Sequence, residues 1–241
     1  MGRSVGTRLT LRPQEGCVDL FKKAPEKKPL GQFVYEELKG AIINGKLSPG
    51  QRIAESRIAQ VMKISRTPVR EAFHKLEREG WIRHLPNSGF FVSGLSREDV
   101  EETFGIRAAL ESYAARLAAL RHTDDDLASL ETKIQEYQEH MDRGDIEALF
   151  IINTEFHDLL YMLSRSPKLI KMINDLRDQI YRYRRVILRV KEMARRSNED
   201  HKAMLKYIGK RDAENVEVLV KEHILRGKEV VLRQFDKGEI S

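Results

Sequence analysis

The sequence predicts a mainly α protein in two parts: three helices with a β-hairpin, then an antiparallel all-α bundle of six to seven helices. Three observations predict it. Apolar residues recur at helical spacing along nearly all of the chain beyond residue 30. That period breaks once, over residues 81–93, into two short strand-like runs around Pro86-Asn87-Ser88-Gly89. Charge is unevenly divided: residues 1–94 hold 17 Lys/Arg against 9 Asp/Glu, and residues 95–241 hold 26 against 28.

Residues 1–29 mix Pro, Lys and Gly without periodicity and read as a disordered, basic extension. Leu30, Phe33, Val34, Leu38, Ala41 and Ile42 form one amphipathic stripe, which Asn44-Gly45 ends. Ser48-Pro49-Gly50 is a turn. A brief helix follows at about residues 55–62, and Lys63-Ile64 leads into the next.

That next helix is the most informative stretch. Val69, Ala72, Phe73 and Leu76 recur at i, i+3, i+4 and i+7 and face a core. Arg66, Arg70 and His74 recur every four residues on a separate flank. Ser65 or Thr67 can cap its start, and Pro68 fits the first turn. Hydroxyls, free amides and two arginines at a helix start suit phosphates and guanine edges. Trp81–Leu85 and Phe90–Ser93 read as the strands of a hairpin. Residues 30–94 therefore form a winged helix-turn-helix, whose second helix of the motif enters the major groove. The charge agrees: of a formal net charge of +6, residues 1–94 carry +8, as counterion-release binding to double-stranded DNA requires.

Residues 95–241 read as helices at about 97–121, 124–142, 145–164, 167–195, 197–209 and 212–236. Asp142-Arg143-Gly144, Ser166-Pro167 and Gly209-Lys210-Arg211 mark breaks. Ser96 with Asp99 resembles a capping box. His157 borders the stripe Leu149, Ile152, Phe156, Leu160, with Asn153 one turn earlier on the same side. His201 joins Met204, Leu205 and Ile208, and His223 joins Val216, Leu219 and Val220. One inward histidine is ordinarily a hydrogen-bonded core residue. Three on three helices instead suit a divalent metal such as Zn or Ni. Arg107 lies on the inward stripe of its helix with Glu111 one turn later. It reads either as a buried ion pair or as a fork for a carboxylate ligand. The basic run Arg182, Arg184, Arg185, Arg189, Lys191, Arg195, Arg196 goes all round its helix and reads as solvated surface.

Two resemblances follow from these residues. Ala54 through Ala59, Ser65-Arg66-Thr67-Pro68-Val69-Arg70-Glu71-Ala72, Glu79-Gly80-Trp81-Ile82 and the Pro86–Gly89 tip resemble the GntR family of bacterial transcription regulators. Phe104–Glu111, Ala114–Ala118, Asn153–His157, His201 and His223 resemble the effector-binding FCD domain of its FadR-like subfamily. The resemblance implies DNA contacts by Ser65, Arg66, Thr67, Arg70, His74, Asn87, Ser88 and Gly89. It implies a divalent metal on Asn153, His157, His201 and His223, and a small carboxylate effector on Arg107. Three positions depart from the pattern. Ser56 and Ser88 stand where relatives have arginine. Asn153 replaces an aspartate, which removes one negative charge and implies weaker or altered metal binding.

The expectation is a ligand-responsive repressor, not an enzyme, working as a homodimer on a palindromic operator in the cytoplasm. Cytoplasmic residence rests on the single cysteine, Cys17, and on the lack of a leader-like apolar start. No run approaches the ~20 apolar residues of a membrane span. The rival readings are a metal-dependent hydrolase, with Glu155 or Asp158 as base, and a purely structural dimer with histidines as core filler.

Overall fold

Two compact units make up the chain, divided between Ser93 and Gly94. The computed structural model describes residues 29–94 and 96–238. Of the basic extension expected over residues 1–29, all but Pro29 lies outside the described residues.

The first unit runs α1 (Leu30–Ile43), β1 (Arg52–Ile53), α2 (Glu55–Met62), α3 (Arg66–Arg78), β2 (Ile82–Leu85) and β3 (Gly89–Val92). Phe33, Val34, Leu38, Ala41 and Ile42 of α1 pack on Val69, Ala72, Phe73 and Leu76 of α3. Leu30, expected on that stripe, is exposed in the first turn. Beyond α1, Gly45 takes φ 71°, a conformation that costs glycine nothing. The turn from α2 to α3 is made by Lys63, at φ 56° and ψ 44°. Ser65 sits at the N-cap of α3, but its side chain makes no capping bond. Strand β1 leaves no sign in the sequence, because two residues are too short to show a period. It lies antiparallel to β3, so the sheet is three-stranded in the order β1-β3-β2. Asn87 and Gly89 close the hairpin with φ 63° and 93°. Phe90 of β3 meets Phe73 of α3 edge to face at 5.0 Å.

The second unit has seven helices among the described residues: α4 (Arg97–Arg121), α5 (Asp124–Arg143), α6 (Ile146–Leu163), α7 (Pro167–Asp175), α8 (Arg177–Leu188), α9 (Lys191–Gly209) and α10 (Ala213–Asp236). Capping follows the local sequence. Ser96 Oγ accepts from the Asp99 amide at 2.9 Å, and the Asp145 carboxylate accepts from the Ala148 amide at 3.1 Å. Helix α4 packs most extensively along α10, and Phe104, Phe156, Tyr183, Met204 and Val220 lie in the core between the helices.

The single helix expected over 167–195 is a correction. It is broken at Leu176 and again at Arg189-Val190, and α9 starts at Lys191. An unbroken helix there would be about 43 Å long, longer than α4 with its 25 residues. The breaks let each piece face a different part of the core. Leu169 and Ile173 of α7 pack with Ala114, Leu117 and Tyr161, whereas Tyr183 and Ile187 of α8 join Phe104 and Phe156.

Lys63 holds a left-handed conformation that costs a side chain about 1 kcal/mol relative to glycine. Lys63→Gly is expected to stabilise the first unit by about 0.5–1 kcal/mol. Trp81 is the sole tryptophan and is buried in that unit, so urea titration followed by its fluorescence reads the change. An unfolding midpoint equal to or below wild type contradicts it.

Candidate functional site

On α3, Ser65, Arg66, Thr67, Arg70 and His74 are all exposed along one flank, opposite the buried Val69, Phe73 and Leu76. Among the described residues neither Arg66 nor Arg70 is tied to a carboxylate, so both guanidinium groups are available to an anionic partner. His74 leans toward Glu77, with Nδ1 3.7 Å from a carboxylate oxygen. Asn87 and Ser88 are exposed at the hairpin tip and Gly89 is half-buried. Strand β1 adds a residue that sequence reasoning missed. The exposed Arg52 lies beside the tip, its Nε 3.6 Å from where a Cβ on Gly89 would sit.

In the helical unit, α4, α6, α8, α9 and α10 converge on a buried cavity of about 30 Å³. Its walls include Phe104, Arg107, Asn153, His157, Arg184 and His223. The centroid of the His157 ring lies 5.2 Å from that of His201 and 5.4 Å from that of His223, and the last two are 5.5 Å apart. One nitrogen from each falls within 4.8 Å of the others. Asn153 is buried one turn before His157 and faces the same space. Gly227 of α10 completes the wall. A Cβ there would stand 2.9 Å from Ile187 Cδ1, so the end of the Ile187 side chain would have to shift, and 3.5 Å from Phe104.

The hydrogen-bond inventory shows what the cavity lacks. The Asp200 carboxylate, itself buried, accepts from His223 Nδ1 at 2.9 Å. That bond fixes the tautomer and leaves the Nε2 lone pair of His223 free, the usual arrangement behind a metal-bound imidazole. Asp200 also accepts from Arg226. Burial alone raises the Asp200 carboxyl, but its bonds to His223 and Arg226 outweigh burial and hold it below the ordinary range. His157 Nδ1 and both nitrogens of His201 have no partner among the described residues. Burial, reinforced by neighbouring cationic groups, keeps both imidazoles well below their usual pKa and therefore neutral. The three imidazoles, the Asn153 amide and a supporting carboxylate are a donor set that fits a divalent metal.

The other wall is cationic. Arg107 Nε donates to Glu111 Oε1 at 2.7 Å, and both residues are buried. The Tyr161 hydroxyl donates to the other Glu111 oxygen, and Arg184 Nη2 donates to the Tyr161 oxygen at 3.0 Å. Burial opposes the Glu111 charge, but Arg107 and Arg184 together hold its pKa below the ordinary value. Arg107 Nη1 and Arg184 Nε remain without partners. Arg107 therefore makes the internal ion pair, one of the two alternatives the sequence posed, and keeps one donor, Nη1, unpartnered. Arg184 corrects the reading of its basic run as solvated surface: it is buried and faces the cavity. Its neighbour Arg185 is half-buried, reaching Glu147 at 2.9 Å and lying over the Phe150 ring. The bases considered for hydrolysis are engaged elsewhere, Glu155 with Lys133 at 2.8 Å and Asp158 with Arg177 at 2.6 Å.

Comparison with known proteins fixes the class. Residues 30–92 match the bacterial regulatory proteins of the gntR family, and residues 102–226 match the FCD domain. The Nta operon transcriptional regulator of Aminobacter aminovorans is 33% identical over 76% of this chain and 86% of its own. The HTH-type transcriptional repressor RspR of Escherichia coli (strain K12) is 27% identical over 82% of this chain and 86% of its own. Among solved structures, E. coli McbR/YncC superposes with a TM-score of 0.69 at 26% identity, covering 86% of this chain and 99% of that one. The chain belongs to the GntR family of DNA-binding transcriptional regulators and carries an FCD effector-binding domain. Members of this family are regulators rather than enzymes, which removes the hydrolase reading. Among the described residues, no helix is long and apolar enough to cross a membrane.

The neutral histidines make stability depend on pH. Their folded pKa values lie below the unfolded value of about 6.5. On acidification the unfolded chain therefore takes up protons first. Stability is complete above about pH 6.5 and declines below it, by up to about 1.4 kcal/mol per pH unit for each imidazole. Melting temperature is expected to fall between about pH 7 and 5.5, and less steeply in a His157→Gln/His201→Gln variant. Equal slopes for the two proteins contradict the assignment.

Proposed function

We propose that this regulator is a cytoplasmic repressor that works as a homodimer on a palindromic operator and senses a small organic acid at the buried cavity. The observation that carries the sensor reading is the set of unpartnered donors and lone pairs facing one space. Arg107 Nη1, Arg184 Nε and His157 Nδ1 belong to residues that line it, and the unpartnered His201 ring lies 5.2 Å from that of His157. Unpaired, such groups are costly to bury. An anion and a divalent cation satisfy them together. His157, His201 and His223, with the Asn153 amide, hold the cation. When bound, it supplies a Lewis-acid contact for an acid oxygen. Arg107 holds the carboxylate, and Glu111 holds Arg107 in place. The repressor role is supported by the similarity to a relative described as a repressor.

DNA reading falls to Ser65, Arg66, Thr67, Arg70 and His74 on α3, with Asn87, Ser88 and Gly89 at the wing tip. One winged helix covers few base pairs, so useful specificity needs two half-sites and hence two copies. Effector binding then acts by changing whether the paired heads match half-sites one turn, ~34 Å, apart.

Arg66→Ala and Arg70→Ala are each expected to weaken operator binding by about 1–3 kcal/mol at fixed salt. Fluorescence anisotropy on two-site and half-site duplexes, beside sedimentation of the free protein, reads both claims. Wild-type affinity in both variants counts against the recognition helix, and a micromolar monomer without preference for the two-site duplex counts against the dimer.

The metal is tested by content and response. Asn153→Asp restores a negative ligand and is expected to raise Zn²⁺ affinity by about tenfold or more. His201→Ala is expected to lower both metal content and the acid-induced change in operator affinity. Wild-type protein that takes up neither Zn²⁺ nor Ni²⁺, and keeps its acid response without the three histidines, would make them core filler.

A further inference from the structure

We infer that the effector is a compact dicarboxylate, held by Arg107 on α4 and Arg184 on α8 together rather than by Arg107 alone. This rests on the proposed reading that the histidines hold a divalent cation and the cavity an acid. Arg184 is the residue that distinguishes the two cases.

The geometry supplies two anion sites. Arg107 spends Nε on Glu111 and keeps Nη1 free, and Arg184 spends Nη2 on Tyr161 and keeps Nε free. The free donors come from two different helices. Glu111 and Tyr161 hold the two guanidinium groups apart, each by one bond. Each free donor offers one charge-assisted bond to a carboxylate oxygen, and two donors anchored on different helices suit a ligand with two carboxylates.

Charge gives the same answer. Arg107 and Arg184 are the only permanently charged side chains among the residues lining the cavity. Glu111 neutralises one of them, and Asp200 is already shared by His223 and Arg226. Because Asn153 is neutral where a carboxylate would cancel one charge, a divalent cation keeps its full +2. The cation plus one uncompensated guanidinium leaves about three positive charges in a low-dielectric space. A monocarboxylate neutralises one of these, a dicarboxylate two. The cavity is small, about 30 Å³, so even a ligand of a few carbons requires a wall to yield, and the flexible Met193 side chain is the one suited to do so.

Calorimetry on Zn²⁺-loaded wild-type protein compares malonate and succinate with their monomethyl esters, which keep the carbon chain and lose one charge. The expected result is a dissociation constant at least about tenfold lower for the diacid, the worth of one charge-assisted bond. Inorganic phosphate, a dianion with a single centre, is expected to bind more weakly than malonate. Arg184→Met is expected to bring diacid and ester to within about threefold of each other, while Arg184→Lys keeps the preference. Equal binding of diacid and ester by wild type overturns the inference, as does an unchanged preference in Arg184→Met or tighter binding of phosphate. If Arg184→Met does not fold, the wild-type comparison with the ester still decides. A wild type that takes up Zn²⁺ and binds only monoacids defeats this inference and leaves the acid-sensor reading standing. A wild type that binds neither metal nor any acid defeats that reading itself.

Discussion

The carboxylate of Glu111 is the constraint on which the helical unit depends. It is fully buried, and a lone buried carboxylate is among the most costly groups a protein can hold. Arg107 from its own helix and Tyr161 from α6 each bond one oxygen, and Arg184 from α8 bonds Tyr161 in turn. Three helices are thereby locked around one charge. Helix α8, which begins anew after Leu176, carries Arg184 inward while Tyr183 and Ile187 join the apolar core. Removing one partner of such a network leaves a charge stranded in low dielectric, a loss on the order of 3–5 kcal/mol.

That network is over-supplied with positive charge, and the opposite wall is over-supplied with lone pairs. Neither imbalance serves stability, since apolar residues of similar volume would pack the same space without penalty. Local violations of the folding rules that persist in a well-packed core are where function is to be sought. Here the violations lie on both sides of one small cavity. Asp200 adds a further sign of purpose: it spends a buried carboxylate on orienting His223, an orientation that a filler residue does not need.

The sequence carried most of this fold openly, because its signals are periodic. Phe33 through Ile42 and Val69 through Leu76 mark their helices by spacing alone, and Asn44-Gly45 and Gly144 mark ends by conformation. What it concealed was aperiodic. Strand β1 has two residues and no pattern, so Arg52 could not be placed near the wing tip. The breaks at Leu176 and Arg189-Val190 use neither glycine nor proline, because tertiary packing rather than local propensity imposes them. Without those breaks the phase of Arg184 was lost among the surrounding arginines. The histidines were legible because each sits beside an apolar stripe. Asp200, next to His201, carried no signal of its own, since its role exists only through α10.

The edge-to-face contact between Phe73 and Phe90 has a bearing on how such a regulator can be tuned. Phe73 belongs to the buried face of the recognition helix, and Phe90 belongs to the central strand of the wing, which β1 and β2 flank. Interiors this closely packed do not deform gradually. Helix and wing are therefore a single reading head, and the letters it reads within a half-site are written into its shape. A signal arriving from elsewhere in the molecule has no means of editing those letters. The preference of the head is set by its own packing, and any signal that leaves the Phe73–Phe90 contact intact leaves that preference as it was.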